Sequence, residues 1–307
     1  MSRTVLRALS PSYTKTRAFT FVWNHTQRRN MSAPFFPKQA VKFDGALAQE
    51  LQGNVSEEIA QELLKVVPPI KSGSVIHDNG CGYGSVTGEI MKSGVPLDIK
   101  IHATDKSDSY LAKLRDTLSQ NPTWPVEVSN VDANNLTFPD NFFDLSVTDF
   151  LLLGLDDEVG AAKHILRTVK PGGTAAIAVW KEKPWQAALK EAHRRTRGDD
   201  DPIPPFLAVV DYDTEHFKNI LKQAGYQNTQ FVERSAWLEM PDPKRWARIA
   251  WTFLATPAGG WRQSDEDTWD QAIDIAAEEF QKGDWHVYEN GVHKIRMVAT
   301  IAVTEKQ

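Results

Sequence analysis

Four aspartates and three glycines carry the chemistry this sequence offers. Residues 74–90 read SVIHDNGCGYGSVTGEI. Val75 and Ile76 open a short apolar run, Asp78 follows, and Gly80, Gly82 and Gly84 stand at alternate positions before a helical stretch. Glycine takes positive φ freely and leaves no side chain in a ligand's way. A helix start offers unpaired N–H groups and the positive end of a dipole. A carboxylate at the strand end is the wrong group to meet a pyrophosphate, but it suits a cationic amine. The spacing Asp-x-Gly-x-Gly-x-Gly also departs from the Gly-x-Gly-x-x-Gly of dinucleotide binders.

Strands must hold these groups at a common edge, and the pattern supplies them. Apolar or alternating runs at 74–79, 99–104, 126–133, 143–149 and 174–180 predict five strands. Amphipathic spacing predicts helices over 45–66, 84–93, 108–119 and 156–169, and Lys170-Pro171-Gly172-Gly173 reads as a turn. Strand–helix alternation at this spacing means βαβ units and a parallel sheet with crossovers on both faces. Ligands on such sheets lie beyond the carboxyl ends of the strands. Asp78, Asp105, Asp132 and Asp149 all fall at or just after such ends, so four carboxylates converge on one edge. Further on, a helix over 213–224 with Asp213 or Thr214 as its cap, a strand over 228–240, a tryptophan-rich helical stretch over 241–290 and a last strand over 294–304 complete the pattern. The expected fold is α/β: a Rossmann-like, seven-stranded, mostly parallel sheet with helices on both faces, and a helical lid over about 241–292 inserted before the last strand.

Composition bounds the function. Residues 1–43 hold eight Lys or Arg and no acid, whereas all 40 Asp and Glu lie beyond them. The folded body is therefore acidic, which argues against nonspecific nucleic-acid binding. Two readings of residues 1–40 stay open: a mitochondrial transit peptide, or a stretch outside the fold, either a disordered basic tail or a mis-called start before Met31. The first implies a mitochondrial protein and the second a cytoplasmic one; in either case the working domain is 41–307. No apolar run approaches the roughly 18 residues a membrane helix needs. A lone cysteine, Cys81, excludes an internal disulfide and reads as a small filler of the glycine loop. Neither H-E-x-x-H nor a Cys/His set at metal-ligand spacing occurs. Of ten tryptophans, six lie beyond residue 236. Aromatic rings line small-molecule pockets and also fill cores; Trp180, Trp185, Trp251 and Trp261 are the candidates for a substrate pocket.

Taken together, DNGCGYG, HATDKS, NVDANNL, PDNFFDLSV and KPGG resemble, in order and spacing, the class I S-adenosylmethionine (SAM)-dependent methyltransferases, over most of residues 45–304. The resemblance implies SAM as cofactor. It implies that Asp78 and the loop at Gly80, Gly82 and Gly84 face the methionine part. Asp105 would take both ribose hydroxyls, with Lys106 beside the adenine. Asp132 would take the adenine amine, with Ala133 next to it. Asp149 and Phe150 would border the sulfonium and the methyl path, Asp149 being the candidate catalytic group. For Asp132 a plain Asx turn, and for Asp149 a plain helix or turn cap, remain open. The body resembles small-molecule enzymes of the ubiquinone/menaquinone type, and the tryptophan-rich stretch resembles fungal thiol methyltransferases of gliotoxin-type secondary metabolism. Thiol methylation is thus the leading expectation. Its alternatives are O- or C-methylation of a quinone or phenol, and a SAM-binding regulator without turnover. A thiol needs little help from a base, whereas a phenol or carbon acid needs one. His193, His216, His286 and His293 are candidates for it; His77 and His102, inside strands, read as core. Oligomeric state and acceptor are not readable from the sequence.

Overall fold

The structure, a computed structural model, describes residues 34–42, 45–208 and 214–307. Most of the basic amino-terminal segment, with its two open readings, lies outside the described residues, as does Asp213. Two helices lead in, α1 (Gly45–Gln52) and α2 (Val55–Leu64). Then β1 (Val75–Asn79), α3 (Ser85–Lys92), β2 (Lys100–Asp105), α4 (Asp108–Gln120), β3 (Val126–Asn130), β4 (Phe143–Asp149), α5 (Glu158–Thr168) and β5 (Val169–Glu182) alternate. Helices α6 (Pro184–Arg197), α7 (Pro205–Ala208) and α8 (Thr214–Ala224) separate β5 from β6 (Gln230–Met240). Next come α9 (Pro243–Leu254), α10 (Gln263–Asp267) and α11 (Trp269–Glu279), then a hairpin of β7 (His286–Glu289) and β8 (Val292–Glu305).

The strands form one sheet in the order β3-β2-β1-β4-β5-β8-β6, with β7 paired to β8. From β3 to β5 all neighbours are parallel; β8 runs antiparallel to both β5 and β6. The sheet is therefore mostly parallel, as the spacing predicts, with the small β7 as an eighth strand. Two details go beyond the spacing. The last long strand, for which the pattern names no neighbour, inserts between β5 and β6. The Lys170–Gly173 turn is drawn into β5 as an irregularity, because pairing slips between Phe143↔Val169 and Leu145↔Thr174; Gly172 takes φ +76° there.

Strand alternation divides the core into two faces. Ala175, Ile177 and Val179 of β5 face a layer with Ala161, Ala162 and Ile165 of α5 and Phe217, Ile220 and Leu221 of α8. Ala176 and Ala178 face the opposite layer, where α2, α3, α6, α9 and α11 contribute. Helix α9 begins at Asp242, whose side chain accepts from the Arg245 N–H at 3.0 Å, with Pro243 in its first position. Its buried face, Trp246, Ala247, Ala250, Trp251 and Leu254, follows helical spacing and packs on α6 and α11. None of the described helices is long and apolar enough to cross a membrane.

Candidate active site

The glycine loop is built by the sheet on one side and helices on the other. Gly80 and Cys81 both donate their N–H to the Thr104 carbonyl, at 2.7 and 2.8 Å, which carries the β1–β2 pairing one step past the strand end. Gly80 has φ +75°, and a Cβ there would strike the Leu151 side chain. Gly84, at φ +94°, leads into α3 and backs onto Leu114. Positive φ and close approach together leave glycine as the fitting residue at both positions. Cys81 is buried with Ala103, Leu111 and Leu114. Burial pushes its thiol up and away from reactivity.

Asp78 is fully buried at the end of β1. Its Oδ2 accepts from the Thr87 N–H at 3.0 Å and the Thr87 hydroxyl at 2.6 Å, which ties the strand to the first turn of α3. Burial pushes its carboxyl up to about 6, against the pull of the two Thr87 hydrogen bonds. Asp105, at the end of β2, accepts from Gly82 N–H with Oδ2 at 3.1 Å and from Ser107 N–H with Oδ1 at 2.8 Å. It fixes the glycine loop from the neighbouring strand. Asp132 is exposed and its Oδ1 accepts from Asn134 N–H at 2.9 Å. That is the Asx turn anticipated as its alternative role; it opens a short 3₁₀ turn over Ala133–Asn135. Ala133 is buried beside it and Lys106 is exposed.

Asp149 ends β4 and is half-buried as a residue, yet its Oδ1 is shut off from solvent without a hydrogen-bond partner. Burial first, and the negative Asp78 and Glu57 second, hold its carboxyl well above the ordinary range. Phe150 follows with φ +54°, a costly backbone for a bulky residue. Its ring lies flat on Trp180, with centroids 3.9 Å apart and planes within 4°. Glu57, on α2, is a member of this site that the sequence does not reveal. Its Oε1 accepts from the Ser85 hydroxyl at 2.8 Å, at the start of α3. An acid on the polar side of an amphipathic helix carries no signal that distinguishes it from its exposed neighbours.

Three of the four pocket candidates are buried. Trp251 and Trp261 retain 1% and 8% of their exposure and do not stand on an open wall. They flank the Arg197 guanidinium, 4.6 and 5.3 Å from their ring centres. Arg197 Nε in turn lies 2.7 Å from Asp265 Oδ1, with both side chains buried. The reason is periodicity: Trp251 shares the inward face of α9 with Trp246 and Leu254, so tertiary packing claims it. Trp185 is also buried, 6.2 Å from Trp246 between ring centres. Of the four candidates, Trp180 alone stays half-buried and adjoins Phe150.

The histidines are engaged elsewhere. His193 contacts the Asp201 carbonyl at 3.1 Å and Arg197 at 3.2 Å. His216 pairs with Glu158 at 3.0 Å, and His286 with His293 at 2.9 Å across the β7–β8 hairpin. His77 is buried, bonded to Thr104 at 2.9 Å and stacked on Phe143; His102 joins the same aromatic cluster through Phe138 and Phe142. Both are core residues.

A glycine loop at the end of β1, flanked by carboxylates on β2 and β4, now has a sequence counterpart. Residues 76–173 match the family model described as a methyltransferase domain. Over these residues the chain carries a SAM-dependent methyltransferase domain. It is 29% identical over 179 residues to the ubiquinone/menaquinone biosynthesis C-methyltransferase UbiE of Neisseria meningitidis, covering 54% of this chain and 72% of the relative. It is 29% identical over 187 residues to the acetylaranotin bis-thiomethyltransferase of Aspergillus terreus, covering 57% of this chain and 62% of the relative. Its fold is shared with phosphoethanolamine N-methyltransferase 2 of Haemonchus contortus, solved with S-adenosyl-L-methionine. The TM-score is 0.53 at 18% identity, over 85% of this chain and 56% of that one. The methyltransferase is of the small-molecule type.

Proposed function

We propose that this methyltransferase methylates a thiol of a small, largely apolar metabolite. The observation that carries this is the makeup of the site edge: carboxylates line it, while each histidine considered as a base is bonded elsewhere. A thiol, with a pKa of about 8.5, is partly ionised near neutrality and asks least of a base. The likeness to a bis-thiomethyltransferase supports the same acceptor.

In this reading Asp78 and the backbone of Gly80, Gly82 and Gly84 hold the methionine part of SAM. Asp105 takes the ribose hydroxyls with its remaining acceptor capacity. Asp132 takes the adenine amine, with Ala133 and Lys106 alongside. Asp149 and Phe150 border the methyl path, and Trp180, behind Phe150, shapes the acceptor side. The residues fit that cofactor on two counts. The positive-φ glycines at 80, 82 and 84 keep the loop beyond the strand end free of side chains, and Asp149 Oδ1 is a buried acceptor without a donor. SAM, when bound, supplies an activated methyl on a sulfonium. The chain's own task is to align, to exclude water and to hold negative charge beside a cation.

A second reading, C-methylation of a quinone-type ring, draws on the likeness to UbiE and would ask Asp149 to act as the base. One assay separates the two. Homocysteine-coupled transfer is measured with a reduced dithiol, a simple thiol, a catechol and a demethylated quinone. Turnover on the thiols alone supports the first reading. Turnover confined to the quinone or catechol replaces it with the second.

A further inference from the structure

We infer that Glu57, Asp78 and Asp149 form a charge-reading cluster: Asp149 carries a proton in the free enzyme and gives it up when a cationic cofactor binds, so that SAM is told from its neutral product by a protonation change. The inference builds on the cofactor assignment of these residues and is independent of which acceptor atom is methylated.

The geometry comes first. Three acids from three elements, α2, β1 and β4, meet at one place. Asp78 and Asp149 end neighbouring parallel strands, where Asp78 pairs with Val147 and Asn79 with Thr148, one residue before Asp149. Asp78 has its Oδ2 committed to Thr87. Glu57 is held by Ser85. Asp149 Oδ1 has no partner although solvent does not reach it. Among the described residues, no lysine, arginine or histidine forms an ion pair with any of the three. The groups that face Asp149 are Asp78 from β1 and Glu57 from α2, with Asp105 of β2 beyond Asp78; all are acids. Three uncompensated negative charges in such a place are unfavourable, and the cheapest relief is a proton on the acid that has a bare oxygen. The direction of the Asp149 shift agrees. A sulfonium placed beside the cluster removes the reason for that proton. The neutral thioether of S-adenosylhomocysteine (SAH) does not. The two ligands share every other charge, so the difference between them isolates the effect.

Glu57 is therefore assigned as a positioning residue for charge, beyond its contact to Ser85. The test is calorimetry of SAM and SAH binding at pH 7 in buffers of different ionisation enthalpy, with wild type, Asp149→Asn, Glu57→Gln and Ser85→Ala. SAM binding should release up to about one proton more than SAH binding. Asp149→Asn, which is nearly isosteric, should abolish that difference while still binding both ligands. Glu57→Gln should lower the SAM-over-SAH affinity ratio by roughly tenfold, the effect of one nearby charge on a buried acid. Ser85→Ala keeps the charge and should leave the ratio unchanged. Equal proton counts for SAM and SAH in the wild type, or a difference that survives Asp149→Asn, would overturn the inference. A Ser85→Ala effect as large as that of Glu57→Gln would overturn the role given to Glu57. Failure of the thiol reading would show only in the transfer assay and would leave these binding data as they stand.

Discussion

Asp78 Oδ2 accepts two hydrogen bonds from Thr87, one from its N–H at 3.0 Å and one from its hydroxyl at 2.6 Å. Both favour the ionised carboxylate, and burial opposes them. Thr87→Val deletes the hydroxyl and keeps the shape. The Asp78 carboxyl should then titrate above its present value of about 6. Affinity for SAM should fall several-fold near pH 6.5 and recover toward pH 8.5. A titration of Kd against pH by calorimetry checks this; parallel curves for variant and wild type would refute it.

The same carboxylate weighs on stability. Its folded pKa is raised from 3.8 to about 6, so the folded state binds the proton more tightly than the unfolded chain between those values. Stability from this group is present at low pH and is lost as pH rises through the window. Asp78→Asn, neutral at every pH, should therefore stabilise the protein at pH 7 by on the order of 1–3 kcal/mol while SAM binding collapses. Urea denaturation with and without SAM tests both halves.

His77 gives the opposite slope. Burial first, and His102 second, lower its pKa from 6.5 to about 3, so the unfolded state binds the proton first. Stability is complete above about pH 6.5 and falls as pH drops toward 3. This one residue gives a slope approaching 1.4 kcal/mol per pH unit, a value of about one proton's worth. His77→Gln should flatten the denaturation profile between pH 6 and 4, whatever it does to stability at pH 7.

Arg197 and Asp265 join α6 to α10 deep in the helical cover. Asp265→Ala leaves a buried guanidinium between two indoles and should cost about 3–5 kcal/mol. Trp251→Ala, a cavity in the same cluster, should cost about as much. Combined, the two changes should cost clearly less than their sum, because they share Arg197. If Trp251→Ala instead raised the acceptor KM at unchanged melting temperature, the ring would be lining a pocket after all.

Much of the sheet was legible because parallel strands buried on both faces read as apolar runs, and three of the five here stop at or next to an acid: Asp78, Asp105, Asp149. The alternation of strand and helix then forces the edge on which those acids meet. What the pattern could not supply is long-range. Nothing local says that β8 slips between β5 and β6, since the choice of neighbour lies with residues 230–240 and 174–182 rather than with 292–305 themselves. The tryptophans were ambiguous for a related reason. Trp251 has the spacing of a core face and the chemistry of a pocket wall, and its packing with Trp261 around the buried Arg197 is a long-range contact. Glu57 was invisible because its partner Ser85 is distant in sequence.

The placement of β8 also has a consequence for synthesis. On the ribosome, β1 to β5 can pair as they emerge, each linked to the next by a short crossover. Among the described residues β8 is the one strand that pairs with β6, so β6 emerges without a strand partner, and α9 to α11 follow it. Until residues 292–305 leave the exit tunnel, the nascent chain holds an open β5 edge and an unpaired β6. A chain stalled before residue 292 should therefore protect residues 75–182 from protease while residues 230–240 are cut. Release of the last strand should protect both regions together.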